Sequence, residues 1–286
     1  MKKRIDFDGE YARFAAGKMR EMGPVKDEEM ENVLNETMRQ WLETPAEWLD
    51  GRTPDQYFAE KTPEELVEQL TDYTQAGMNV PEPLYGRIAE TPACAPALKA
   101  AAAGANAAGR ATALRLLCDM NASGLTEVCI DAISGRDDAA EIAVDFLKKG
   151  DYATAQAVLK RYDEFPEEDR MALMDVLCSY PGAPGVAERL TERLYNDPEH
   201  RGYYAMQAEK LGDEALIEPL LRLSQLSDLG YYDYKEIVNS IEALGGDPGP
   251  ERQFYGDPDY EALRTADTMP NFDDPACRIQ REEELS

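Results

Sequence analysis

The side chains best able to do chemistry in this 286-residue chain are its one histidine, His200, and its five cysteines, Cys94, Cys118, Cys129, Cys178 and Cys277. A thiol becomes a nucleophile beside an activating base, so on paper a cysteine would have to pair with His200. Cys118 and Cys178, however, directly follow Leu117 and Leu177, two leucines at matching places in a repeated pattern, and that placement reads as packing. His200 falls in the first turn of an expected helix, a position that is solvated by default. A metal site needs convergent ligands, and the sequence offers no Cys-x-x-Cys and no His-x-x-x-His. Asp257, Asp259 and Glu261 alternate but lack the glycine and the length of a calcium loop. Gly104 and Gly109 form no phosphate-binding fingerprint, and neither a Gly-x-Ser-x-Gly elbow nor a Walker loop occurs. The expectation is a protein without catalytic set, metal or cofactor.

Recognition then falls to the surface. Fifteen tyrosines are present, and five open two successive expected helices: Tyr203 and Tyr204, then Tyr231, Tyr232 and Tyr234. Tyrosine supplies a large contact area at low entropic cost. Tyr204 follows the buried phase of its helix and reads as core, whereas Tyr203, Tyr231 and Tyr234 are candidates for a partner-binding patch. Arg201 has two readings: it lines the same patch, or it pairs with acids on an adjacent repeat.

The elements that must position these residues are helical. Ala, Leu, Glu, Met and Arg dominate, and period-two alternation is scarce. Leucines 117, 147, 177, 211 and 244 recur at spacings of 30, 30, 34 and 33 residues with similar flanks. Gly124, Gly150, Gly182, Gly212 and Gly245 follow them as candidate C-terminal stops. Asp151 and Asp213 stand where a carboxylate can cap the next helix, and Asp197-Pro198 gives a cap with proline at the first helical position. Tyr204, Ala205, Ala208 and Leu211 mark one face of a helix; Ile237, Val238, Ile241 and Leu244 mark another, facing Leu216, Leu220 and Leu223. A two-helix unit cannot bury such a stripe alone, so successive units must stack.

The run Asp197-Pro198-Glu199-His200-Arg201, then Ala205, Ala208, Leu211-Gly212-Asp213, Ala215 and Pro219-Leu220-Leu221 resembles the short HEAT-like repeat of the phycobilisome-lyase type. The likeness is good over one repeat and degenerate over four others between about residues 91 and 250. It implies a right-handed α-α superhelix of the HEAT/ARM kind whose second helices line the concave surface. Residues 62–250 are assigned to these repeats, 1–61 to a helical N-terminal cap and 251–286 to an acidic strap or tail. In the cap, Thr44-Pro45, Thr53-Pro54 and Thr62-Pro63 each read as a capping box, with Trp41 and Trp48 packing on the first repeat. The segment from Trp41-Leu42 to Arg52-Thr53-Pro54 is also similar to an element of the MbcA/ParS antitoxins, over about twenty residues. In the strap the helical pattern stops, leaving apolar anchors such as Phe254, Tyr260, Met269 and Phe272.

Net charge is −27, and a surface of that sign repels nucleic acid and anionic membranes. No apolar run is long enough to cross a bilayer, and Asp6, Asp8 and Glu10 interrupt any signal core at the start, so the expected compartment is the cytoplasm. The leading expectation is a noncatalytic scaffold or adaptor for a protein or peptide partner, a basic one if an acidic face recruits it. The alternatives are a chromophore- or small-molecule-handling enzyme of the lyase-like repeat group, and an acidic mimic or antitoxin-like inhibitor.

Overall fold

The computed structural model describes residues 4–24, 26–104 and 106–267, and among them every regular element is helical: sixteen α-helices joined by turns and short 3-10 segments. The chain divides into two compact units, 1–173 and 174–286. Among the described residues no helix is long and apolar enough to cross a membrane.

The first unit opens with α1 (Phe7–Met22), α2 (Asp27–Glu43) and α3 (Pro54–Ala59). Phe7 lies at the centre of this cap, 2% exposed, with the rings of Trp48, Phe58 and Trp41 at 5.2, 5.0 and 6.3 Å. Two of the three capping boxes form: Thr53 and Thr62 accept from Gln56 and Glu65 N–H groups, whose side chains reach back to the cap. The third does not. Thr44 instead donates its hydroxyl to the Gln40 carbonyl at 2.6 Å and closes α2 rather than opening the next turn.

Helices α4 (Pro63–Gln75), α5 (Glu82–Ala89), α6 (Ala95–Gly104), α7 (Ala107–Asp119), α8 (Leu125–Ala132), α9 (Asp138–Lys148), α10 (Tyr152–Arg161) and α11 (Glu167–Leu177) follow, and the division between the units falls inside α11. Packing alternates: α6 lies on α7 and α8, α7 on α9, and α8 on α9 and α10. In the second unit come α12 (Val186–Asn196), α13 (Arg201–Leu211), α14 (Ile217–Leu223), α15 (Tyr231–Ala243) and α16 (Pro258–Asp267). There α12 packs on α13 and α14, and α13 and α14 both pack on α15.

The repeated leucines carry this packing. Leu117, Leu147 and Leu177 are fully buried, Leu211 is nearly so, and Leu244 is 9% exposed. Tyr204, Ala205, Ala208, Ile237 and Ile241 are buried on the faces read from their spacing. Gly212 and Gly245 adopt positive φ at the C-terminal ends of α13 and α15, as a helix stop requires, whereas Gly124 and Gly182, also at positive φ, lie in turns beyond the helix ends, Gly124 as the N-terminal cap of α8. Gly150 does not; a Cβ there would meet the Thr154 hydroxyl at 2.4 Å, so this glycine makes room for the next helix. Asp151 and Asp213 cap as anticipated, accepting from the N–H groups of Thr154 and Ala215.

Polar bonds between neighbouring helices add a second periodicity. Tyr85 donates to Asp119, Lys99 to the Ser123 carbonyl, Arg110 to Asp137 and Arg161 to Glu127, each pair 24 to 34 residues apart. In the second unit Gly202 N–H donates to Asp233 at 3.1 Å, the Ser240 hydroxyl to the Ala205 carbonyl at 2.7 Å, and Lys210 to Asp175 at 2.6 Å. Each of these bonds ties segments 24 to 35 residues apart, so they hold neighbouring helices in register as well as adding stability.

The segment after residue 250 is not wholly irregular, as its composition suggested, because α16 occupies ten of its residues. Asp257 nucleates it by accepting from Asp259 and Tyr260 N–H groups, which offsets the cost of a short acidic helix. Met269, Phe272 and the acidic end lie outside the described residues.

Candidate binding surface

The start of α13 is where the sequence concentrated its candidates. Asp197 was read as a helix cap, but its carboxylate makes no cap bond. It accepts instead from Arg193 at 2.8 Å and Tyr204 at 3.3 Å, and lies 3.0 Å from Nδ1 of His200. Arg193 also stacks over the Tyr204 ring at 5.4 Å. Burial alone would raise the Asp197 carboxyl, yet His200 and Arg193 outweigh it and hold the group below the usual carboxylate range. Proline at the following position leaves fewer N–H groups to accept from, which frees the carboxylate for these side chains.

His200 is thus oriented by a carboxylate, the arrangement a general base would require. Cys178, the thiol a base at His200 would have to serve, is fully buried, with Lys210 and Asp175 as its charged neighbours. Burial pushes that thiol up to about 12, so at neutral pH it is protonated and a poor nucleophile. Its packing role follows from its place after Leu177. Cys118 differs. It is half-buried on α7, and its thiol shares a hydrogen bond with Cys129 on α8. That bond lowers the Cys118 thiol, while bonding to Cys118 and burial raise that of Cys129. The two cysteines are eleven residues apart in sequence, and only the turn between α7 and α8 brings them together.

The candidate patch divides. Arg201 is 7% exposed and pairs at 3.3 Å with Asp228, an acid in the turn before α15, in line with the second of its two readings. Tyr203 is half-buried, packed edge-on against Tyr204 at 5.3 Å, with its phenol raised by burial and by Asp175. Tyr234 is 4% exposed beneath Phe254, with ring centres 4.8 Å apart, and its hydroxyl accepts from the Arg252 N–H. Tyr231 is half-buried between Phe254 and Tyr260 at 5.6 and 5.1 Å. The strap therefore sits on the two tyrosines of α15 that the sequence offered to a partner. It is fastened by Asp257, which accepts from the Tyr231 N–H, and by Arg252, which donates to the Leu226 carbonyl at 2.6 Å. The rings left most open are Tyr232 and Tyr255, 58% and 73% exposed.

A cavity of about 460 Å³ opens elsewhere, between α9 and the first turns of α11. Ile133, Ala140, Val144 and Ala172 form its apolar floor, with Glu141, Asp145, Arg136, Glu168 and Asp169 around it. Asp169 is 3% exposed and accepts from the Ser134 hydroxyl at 2.7 Å and Arg136 Nε at 3.0 Å. Those bonds hold Arg136 in a left-handed conformation, φ 49°, that a long side chain seldom adopts. The sequence carried a signal for this place that went unused: an apolar α9 face flanked by carboxylates one turn apart.

Among the described residues, no group of three His, Cys, Asp or Glu side chains is placed to hold a metal ion. Comparison of the chain with protein-family models, with curated proteins and with solved structures finds no match.

Proposed function

We propose that this chain is a noncatalytic scaffold that binds a protein or peptide partner along the second helices of a right-handed α-α superhelix of the HEAT-like kind. The observation that carries this reading is the packing of second helix on second helix in each unit, α7 on α9 and α13 on α15. Continued along a chain, that arrangement builds one extended face from side chains of successive repeats, the kind of surface that solenoids offer to partners. The polar bonds between neighbouring repeats support the same reading, since a rigid face loses less entropy on binding. The net charge of −27 favours a basic partner over nucleic acid.

Two measurements test the proposal. Small-angle X-ray scattering should give a radius of gyration well above the roughly 19 Å of a compact chain this long. Cross-linking in the native lysate should then capture a defined protein partner that is released by moderate salt. A compact scattering profile would sink the superhelix, and a chain that captures no partner at any salt concentration would sink the scaffold.

A further inference from the structure

We infer that the groove between α9 and α11 is a docking site for a short cationic amphipathic helix of a partner protein, with aliphatic side chains on the floor and two basic side chains over Glu141 and Asp145. The inference rests on the scaffold reading and gives it a place and a partner chemistry.

The groove is chemically two-sided. Its floor of Ile133, Ala140, Val144 and Ala172 is aliphatic, and about 460 Å³ is room for a few branched side chains. Around the floor stand four carboxylates and one guanidinium. The guanidinium is already engaged, because Arg136 is bonded to both Glu168 and Asp169. On the opposite side Glu141 and Asp145 are exposed, one helical turn apart on α9, and neither has an ion-pair partner among the described residues. Like charges at that spacing repel and weaken the helix that carries them. Most of the other carboxylates bonded between neighbouring helices of this unit, Asp119 excepted, meet a basic side chain: Asp137 has Arg110, Glu127 and Asp131 have Arg161, and Asp169 has Arg136. At Glu141 and Asp145 no described residue supplies the cation.

The spacing sets the shape of the occupant. Two carboxylates one turn apart on α9 match two cations one turn apart on a helix lying beside it, and such a helix presents its leucines to the floor three and four residues away. A second copy of this chain would bring its own charge of −27 and so fits poorly.

The test uses the full-length protein and fluorescence polarisation. The probe is a fluorescein-labelled 15-residue helical peptide with leucines on one face and paired lysines four residues apart beside them. Two comparison peptides replace the lysines by glutamates or the leucines by serines. The lysine–leucine peptide should bind, and Glu141→Lys with Asp145→Lys should weaken it at least tenfold while gaining affinity for the glutamate peptide. Val144→Gln, on a half-exposed position of the floor, should weaken it without changing the helical circular dichroism. The serine peptide should bind weakly and alike to all variants. Glu28→Lys with Glu31→Lys, on exposed α2 positions away from the groove, should leave binding unchanged. No binding to the unaltered protein, equal binding to the groove variants, or an equal loss in the α2 variant would each overturn the site. A natural partner held equally well by the groove variants would remove the groove and leave the scaffold standing, whereas failure to capture any partner would remove the scaffold itself.

Discussion

Asp197 and Cys118 show how far a side chain's neighbours decide its chemistry. Asp197 keeps its charge because Arg193 and His200 bond to it despite its burial. A carboxyl lowered on folding stabilises fully above its unfolded value, near 3.9, and that contribution fades as pH falls through the lower folded value. We therefore expect the difference in melting temperature between the unaltered protein and Asp197→Asn to be largest at pH 6–7. It should shrink steadily below about pH 4, where both chains carry a neutral group. A difference independent of pH would mean that the carboxylate charge contributes nothing. Cys118 is lowered by its bond to Cys129, while burial raises Cys178 and Cys94. In a Cys277→Ser background, a thiol-alkylating reagent should modify Cys118 first at pH 7.5, as read by peptide mass spectrometry. Cys129→Ala should slow that reaction several-fold by removing the bond that favours the thiolate. Uniform labelling in both chains would contradict the pairing.

Helix ends and buried faces were the most legible features of this sequence, because they follow from local rules. Thr53 and Thr62 each bring their own glutamine or glutamate three residues on, and Leu211 to Asp213 brings its own stop and cap. What could not be read depended on partners distant in sequence. Thr44 had an equally local alternative in the Gln40 carbonyl, Asp197 was taken by Arg193 and Tyr204, and Tyr234 was covered by Phe254 some twenty residues on. The groove beside α9 was missed for the same reason, since half of its rim comes from α11. Gly202 illustrates the long-range rule in one residue. A Cβ there would lie 2.7 Å from Asp233 Oδ1, the atom that accepts its N–H. Alanine gains about 1 kcal/mol over glycine inside a helix. Losing a hydrogen bond to a charged group costs about 1.5–3 kcal/mol, so Gly202→Ala should destabilise by roughly 1 kcal/mol in urea titration. A stabilising effect would mean that Asp233 moves aside freely.

Across the whole molecule the dominant fact is the excess of 57 acidic over 30 basic side chains. Individual exposed ion pairs such as Arg39 with Glu36 contribute little and weaken as salt screens them. Repulsion summed over a charge of −27 is larger and is screened by the same salt. The repulsion should win. Melting temperature is expected to rise by several degrees between about 10 mM and 300 mM sodium chloride, where the screening length falls from about 30 Å to under 10 Å. A fall over that range would show that the paired charges outweigh the unpaired ones.

The bonds from Arg110 to Asp137 and from Arg161 to Asp131 each lock one helical pair to the next about thirty positions along. A ratchet of that kind restricts how the polypeptide can change length. Removing α8 would take Asp131 from Arg161, and removing the turn before α9 would take Asp137 from Arg110. A change of length here is tolerated only where each arginine keeps an acid within reach, so a transplanted segment would have to bring one.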